Sequence, residues 1–239
     1  MTPWVTFDFD NTLVKNPYWR LHFRPWLDAE AIRQGTDWRS LWGQFRLEGE
    51  RRWRAGDWVA SFDWVDIANH LGLTPLPDPP RPQESALRPL VLPGAEATLM
   101  QLRRLPIRLG LVTNGLWRFQ KPYLDALGWN YWFDAIITPD RAGFAKPSPA
   151  IMADVSPGLA HVGDRLFHDV LVARRSHRLG ILLGVPGQEL DRLDPLCPST
   201  VQPDFTIPSL DRLFPLIVPF TPTDGKSIPK RFGNNLVVY

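Results

Sequence analysis

A single cysteine, Cys197, is all the chain carries, so no disulfide and no cysteine-based metal site can form within one chain. That fits a reducing compartment. No apolar run approaches the roughly 18 residues that a membrane helix needs. Near the start, Asp8 and Asp10 interrupt the only apolar stretch, which argues against a signal peptide. The expectation is a soluble cytoplasmic protein that does not bind a membrane. Lysine is scarce, at 5 residues against 22 arginines. The net charge is only +2, and acids are interspersed with the arginines. No long basic run marks a nucleic-acid surface, so nucleic acid is not an expected partner. Internal repeats and low-complexity tracts are absent as well.

What is present is a sizeable apolar fraction, 44% of 239 residues, which suits one domain plus an insertion. Trp4 to Phe9 reads as a short buried strand. Residues 25 to 72 change character: three segments carry apolar residues at helical spacing and end in or near Gly. Asp57, before WVASF, is placed to cap a helix. Seven of the eleven tryptophans lie in the surrounding insertion. TPLPDPPRPQES then excludes helix and central strand and reads as a linker. After it, strands and helices alternate. IRLGLVT, DAIITP, LAHVGD, ILLGV and DFTIP are strands, with PGAEATLMQLRRL, LWRFQKPYLDALG, HDVLVARRSHRLG and SLDRLFPLI as helices. The second of these is expected to bend or begin at Pro122. Such alternation predicts an α/β fold, a parallel Rossmann-like sheet with helices on both faces. The expected division is a core of residues 1–14 and 89–218, a helical insertion over 15–88 and a tail over 219–239.

In an open parallel sheet, ligands bind at the carboxyl ends of the strands. Four polar groups fall there: Asp8 and Asp10 after the first strand, Thr113 and Asn114 after IRLGLV, Lys146 in the loop after DAIITP, and Asp164 after LAHVG with Asp169 five residues on. Carboxylates at two strand ends, with a lysine to offset charge, suggest a Mg²⁺ site that also takes a substrate phosphate. A calcium loop does not fit, because Leu13 and Trp19 stand where it needs Gly and Glu.

DFDNTL, the Thr113 of LVTNG, the Lys146 of FAKPSP and GDRLFHD, in that order, resemble the four motifs of the haloacid dehalogenase (HAD) superfamily. The resemblance covers roughly residues 4 to 213, and the helical insertion resembles the family's C1 cap. It implies that Asp8 is a nucleophile that forms an aspartyl-phosphate and that Asp10 is the acid–base group. Asp8 and Asp164 would hold Mg²⁺ by side chain and Asp10 by its backbone carbonyl, with Asp169 supporting the metal or the lysine. Thr113 and Asn114 would bind the transferring phosphoryl group, and Lys146 would stabilise its charge. Dehalogenases and phosphonate-cleaving members lack the second aspartate of the first motif. Asp10 therefore points to hydrolysis of a small phosphomonoester, such as a nucleotide or sugar phosphate. A phosphotransferase or mutase on the same scaffold and a catalytically idle binding protein are the alternatives. Two features depart from the family pattern: His168 stands where the fourth motif often has Asn, and IMADVSPG is shorter than the usual helix and turn.

Asp169 also suits a helix start, where the dipole favours an acid. Of the five histidines, only His168 is expected near the site, and the others read as structural or surface residues. The tryptophans of the insertion read as its core, with one or two free to line the cleft. The cluster Arg46, Arg51, Arg52 and Arg54 reads as a solvated helix face, with an anion-binding role as the alternative.

Overall fold

The computed structural model describes residues 1–184 and 197–221. Its centre is a six-stranded sheet in the order β3-β2-β1-β4-β5-β6, with every neighbouring pair parallel. The strands are β1 (Trp4–Phe7), β2 (Arg108–Val112), β3 (Ala135–Ile137), β4 (Gly158–Gly163), β5 (Leu179–Leu183) and β6 (Phe205–Ile207). From β1 the chain winds outward through β2 and β3, then returns to β4 on the other side of β1 and winds outward again. The direction reverses between β1 and β4, which puts a crevice at their carboxyl ends.

Side chains alternate between the two faces of a strand, and the core follows that period. Val5 and Phe7 of β1, Leu109 and Leu111 of β2, and Ala160 and Val162 of β4 enter one apolar cluster. The helices Ala95–Leu102, Trp117–Leu127 and Leu213–Ile217 bury residues in the same cluster. Trp4 and Val112 point the other way, into a second cluster with Ile151, Met152, Val155 and Val172. Both faces are therefore covered, as a parallel sheet requires.

The α/β expectation holds, with local differences. The first strand ends at Phe7, two residues earlier than expected, although the Asp8 N–H still donates to the Val162 carbonyl at 2.9 Å. The helix Trp117–Leu127 runs through Pro122 and does not begin there. Burial of Phe119, Tyr123, Leu124 and Leu127 on one face offsets the missing backbone bond. IMADVSPG forms only the 3₁₀ segment Pro149–Val155, as its shortness suggests. Asp57 caps a 3₁₀ turn, accepting from the Ala60 N–H at 3.2 Å, and no α-helix starts there. The expected strand ILLGV ends at Leu183, and its Val185 lies outside the described residues, as does most of the tail from residue 222.

Between β1 and β2 the chain forms a helical insertion. Its main helices are Arg24–Arg33, Trp38–Arg54 and Trp64–His70. Asp37 and Asp63 cap the second and third through side-chain oxygens. Rings of Trp19, Phe23, Trp42 and Trp64 pack with centroids 4.4 to 6.1 Å apart, so tryptophan does supply the interior of this unit. Arg52 is not on a solvated face. It is buried and donates to Glu48 and Asp66, because it falls on the same helical stripe as Leu41 and Phe45. Arg51 pairs with Glu48 and Arg54 with Glu50. Among the described residues, no helix is long and apolar enough to cross a membrane.

Candidate active site

The strand ends meet at one cavity of about 290 Å³, lined by Asp8, Asp10, Thr113, Asn114, Lys146, Asp164 and Asp169 among others. Every site residue expected from the sequence is therefore brought to one place. The insertion adds Asn16, Tyr18, Phe62 and Trp64 to the wall. None of Arg46, Arg51, Arg52 and Arg54 lines it, so the arginine cluster is not brought to this cavity.

Asp8 follows β1 directly. The chain then turns sharply, with Asn11 at φ 61° and the Phe9 carbonyl accepting from the N–H groups of Thr12, Leu13 and Val14. This turn keeps Asp10 beside the cavity. Asn is among the few residues that tolerate that backbone conformation.

Lys146 is almost fully buried and ties two carboxylates together. Its Nζ donates to Asp8 Oδ1 at 2.7 Å and to Asp169 Oδ1 at 2.6 Å. Burial alone would lower its pKa, but the two carboxylates outweigh that and hold it above the usual lysine value. Asp169 Oδ1 also faces His161 Nε2 at 3.1 Å, while Oδ2 accepts from the Arg165 N–H at 3.0 Å. Burial would raise the Asp169 pKa; Lys146 and His161 hold it below the carboxylate range instead. Both oxygens of Asp169 are thus engaged by protein donors. The contact with the lysine is thus in place.

Asn114 brackets the Lys146 peptide. Its Nδ2 donates to the Lys146 carbonyl at 3.0 Å, and its Oδ1 accepts the Lys146 N–H at 2.8 Å. Its side chain thus sets the height of the lysine, and Asn114 itself lines the cavity beside Thr113. Thr113 lines the cavity, with Oγ1 accepting from the Gly115 N–H at 3.2 Å.

Three polar neighbours of the site carry only a faint signal in the sequence. His161 lies in the middle of β4, where sequence alone reads it as a structural or surface histidine. Its pKa is pushed down to about 4, chiefly by burial, so it is neutral. Because Asp169 only accepts, the proton sits on Nε2, and Thr6 Oγ1 stands 2.9 Å from Nδ1. Strand parity carries the signal, since His161 and Gly163 share one face and Asp169 packs on it. Gln120 is the second: its Nε2 donates to Asp10 Oδ2 at 2.7 Å. A polar residue on an otherwise apolar helical stripe was the visible sign. Arg165 is the third, at the cavity wall next to Asp164.

The electrostatics follow from four carboxylates around one ammonium group. Burial pushes Asp8 up to about 6, opposed by Lys146 and assisted by Asp169. Burial and the Asp8 charge push Asp10 up to about 7. Burial, Asp169 and Asp8 raise Asp164 well above the ordinary value. Oxygens of Asp8, Asp164 and Asp169 lie within 4.8 Å of one another, a hard-oxygen donor set with surplus negative charge. Such a site can hold a divalent cation and an oxyanion beside a nucleophilic carboxylate.

A family model described as haloacid dehalogenase-like hydrolase matches residues 3–177. The chain is 34% identical over 134 residues to haloacid dehalogenase-like hydrolase domain-containing protein 3 of Bos taurus, covering 53% of this chain and 51% of that one. It is 35% identical over 91 residues to the glyceraldehyde 3-phosphate phosphatase of Methanopyrus kandleri, covering 35% of this chain and 39% of that one. The chain thus spans about half the length or less of these curated relatives. Among solved structures, a HAD phosphatase from Thermococcus onnurineus shares the fold at TM-score 0.65 and 24% identity, covering 91% of this chain and 98% of that one. An L-2-haloacid dehalogenase from Xanthobacter autotrophicus shares it at TM-score 0.58 and 20% identity, covering 91% and 99%. Sheet order, strand-end carboxylates and the match over most of the chain agree: the chain belongs to the haloacid dehalogenase-like hydrolases.

Proposed function

We propose that the protein is a Mg²⁺-dependent phosphatase that hydrolyses a small phosphomonoester through an aspartyl-phosphate on Asp8. The observation that carries this reading is the pair Asp8 and Asp10 on one turn over one cavity. A nucleophile alone would serve halide displacement. A second carboxylate is needed where the leaving oxygen must be protonated. The glyceraldehyde 3-phosphate phosphatase relative, whose name states a phosphomonoester substrate, supports the same class.

In the first step Asp8 attacks phosphorus, and the bond to the leaving oxygen breaks as Asp10 delivers a proton to it. In the second, Asp10 takes a proton from water, the water oxygen attacks phosphorus, and the electron pair returns to Asp8. Lys146 holds Asp8 in place and offsets the charge on the phosphoryl oxygens. The carboxylate surplus fits Mg²⁺. Asp8 and Asp164 would hold it by side chain and Asp10 by its carbonyl, while Asp169 is already occupied by Lys146, His161 and Arg165. When bound, the ion supplies positive charge for the phosphoryl oxygens. The helical insertion serves as a cap that closes the cavity with Tyr18, Phe62 and Trp64.

The test is phosphate release from p-nitrophenyl phosphate and from a panel of phosphorylated metabolites, with and without Mg²⁺. Activity is expected with Mg²⁺, lost with EDTA and poorly restored by Ca²⁺. Asp8→Asn should lose several powers of ten while staying folded. Full activity in metal-free buffer, or Asp8→Asn within tenfold of wild type, would overturn the reading. Transfer of the phosphoryl group to a second sugar hydroxyl, with little going to water, would replace phosphatase by mutase.

A further inference from the structure

Gln120 sits on the helix Trp117–Leu127 and is 1% exposed. Its Nε2 donates to Asp10 Oδ2 at 2.7 Å, while its Oε1 is buried with no hydrogen-bond partner among the described residues. Asp10 Oδ1 is likewise buried and without a partner there. A buried amide with an idle carbonyl costs stability, which offsets what its bond to Asp10 contributes to the fold. Stability therefore does not explain the residue. Its reach to Asp10 does.

A second feature is built around that reach. The amide lies so close to the backbone of the Thr113–Asn114–Gly115 loop that a Cβ on Gly115 would stand 1.8 Å from Gln120 Nε2. Only glycine leaves the amide where it is. The loop's Thr113 lines the cavity, so one contact couples the phosphoryl-facing loop to the carboxylate proposed as acid and base.

We propose that Gln120 is a positioning residue that fixes Asp10 through Oδ2 and leaves Oδ1 as the oxygen that carries the proton. This rests on the phosphatase reading and deepens it. A donor on Oδ2 occupies that oxygen in both forms of the carboxyl group. The proton then resides on Oδ1, passes to the leaving oxygen as the P–O bond breaks, and is replaced by one from the attacking water. Asp10 keeps the same anchor throughout, so it need not turn between its two tasks.

The experiment compares single-turnover formation of the Asp8 phosphoenzyme from an alkyl phosphate and from p-nitrophenyl phosphate, whose leaving group departs unprotonated. Gln120→Met keeps the volume and removes the donor. It should lose about 10- to 100-fold on the alkyl phosphate, below the full range of a positioned acid, and under about threefold on p-nitrophenyl phosphate. Its melting temperature should stay close to that of the wild type, because removing the idle Oε1 offsets the loss of the donor to Asp10 Oδ2. Gly115→Ala, which displaces the amide without altering it, should show the same selective loss. Asp10→Asn is the control: if it slows both substrates equally, the phosphatase reading fails. If Asp10→Asn is selective while Gln120→Met and Gly115→Ala slow both substrates equally or neither, the positioning role fails and the phosphatase reading stands.

Discussion

Asp169 lies against the backbone of Gly163 so closely that a Cβ on the glycine would stand 2.1 Å from the Asp169 Cγ. The last residue of β4 thus has no side chain because the carboxyl group that anchors Lys146 occupies its place.

Gly163→Ala should push Asp169 off Lys146 and lower turnover, with kcat falling more than KM rises, because the damage falls on the reacting centre rather than on the outer wall of the cavity. A loss of roughly 10²-fold is expected for a displacement on the order of 1 Å at a catalytic group. Steady-state kinetics checks this, and unchanged kcat would contradict the packing described.

Lys146→Met removes the one ammonium group among buried carboxylates. Breaking a buried pair by deleting one partner costs about 3–5 kcal/mol. Denaturant unfolding at neutral pH should show a loss of that size. Lys146 lowers the Asp8 pKa, so without it Asp8 protonates above about 6, and the loss should shrink as pH falls toward that value because a protonated neighbour no longer needs the cation. Equal destabilisation at all pH values would mean that lost packing dominates.

Arg118, on the helix after β2, donates to Asp63, which caps the Trp64–His70 helix of the insertion. Arg118 is 38% exposed, so Arg118→Ala should change stability by about 1 kcal/mol or less. Trp64, the next residue after Asp63, lines the cavity, so KM should rise more than kcat falls. Melting and steady-state kinetics on the same variant separate the two effects.

Glu30 fastens the Arg24–Arg33 helix to Thr74, accepting from Arg33, Gln34 and Thr74. The Arg33 bond leads in lowering its pKa, from 4.5 to about 2. A depressed carboxylate pKa means that its contribution is fully present above about 4.5 and is lost as pH falls toward about 2. Glu30→Gln should therefore be less stable than wild type at pH 6, and the two should converge near pH 2. Thermal unfolding across that range checks the sign.

Much of the site was legible because strand ends are legible. A short apolar run followed by Asp8 and Asp10, and another followed by Asp164, announce carboxylates that a buried strand would not carry without a use. Gln120, His161 and Arg52 were harder for one shared reason. Each lies inside an element, where a polar residue reads as surface unless its face is known. His161 shares the β4 face on which Asp169 packs, Gln120 lies on the stripe of Leu116 and Leu124, and Arg52 lies on that of Leu41 and Phe45. Periodicity places these residues on faces, but not what meets those faces.

Local chemistry alone determined the alternation of elements, the helical insertion and the order of the strand-end groups, since backbone preference and apolar period act over a few residues. Distance between those groups was a tertiary matter. Asp8 and Lys146 are 138 positions apart and meet at 2.7 Å because β1 lies between β2 and β4 and the chain reverses direction there. Which oxygen meets which donor followed from the same packing: Asn114 clasps the Lys146 peptide, Asp169 fills the space at Gly163, and Gln120 fills the space at Gly115. Those contacts join residues whose separation in sequence carries no period, so only the closed sheet with its helices in place selects them.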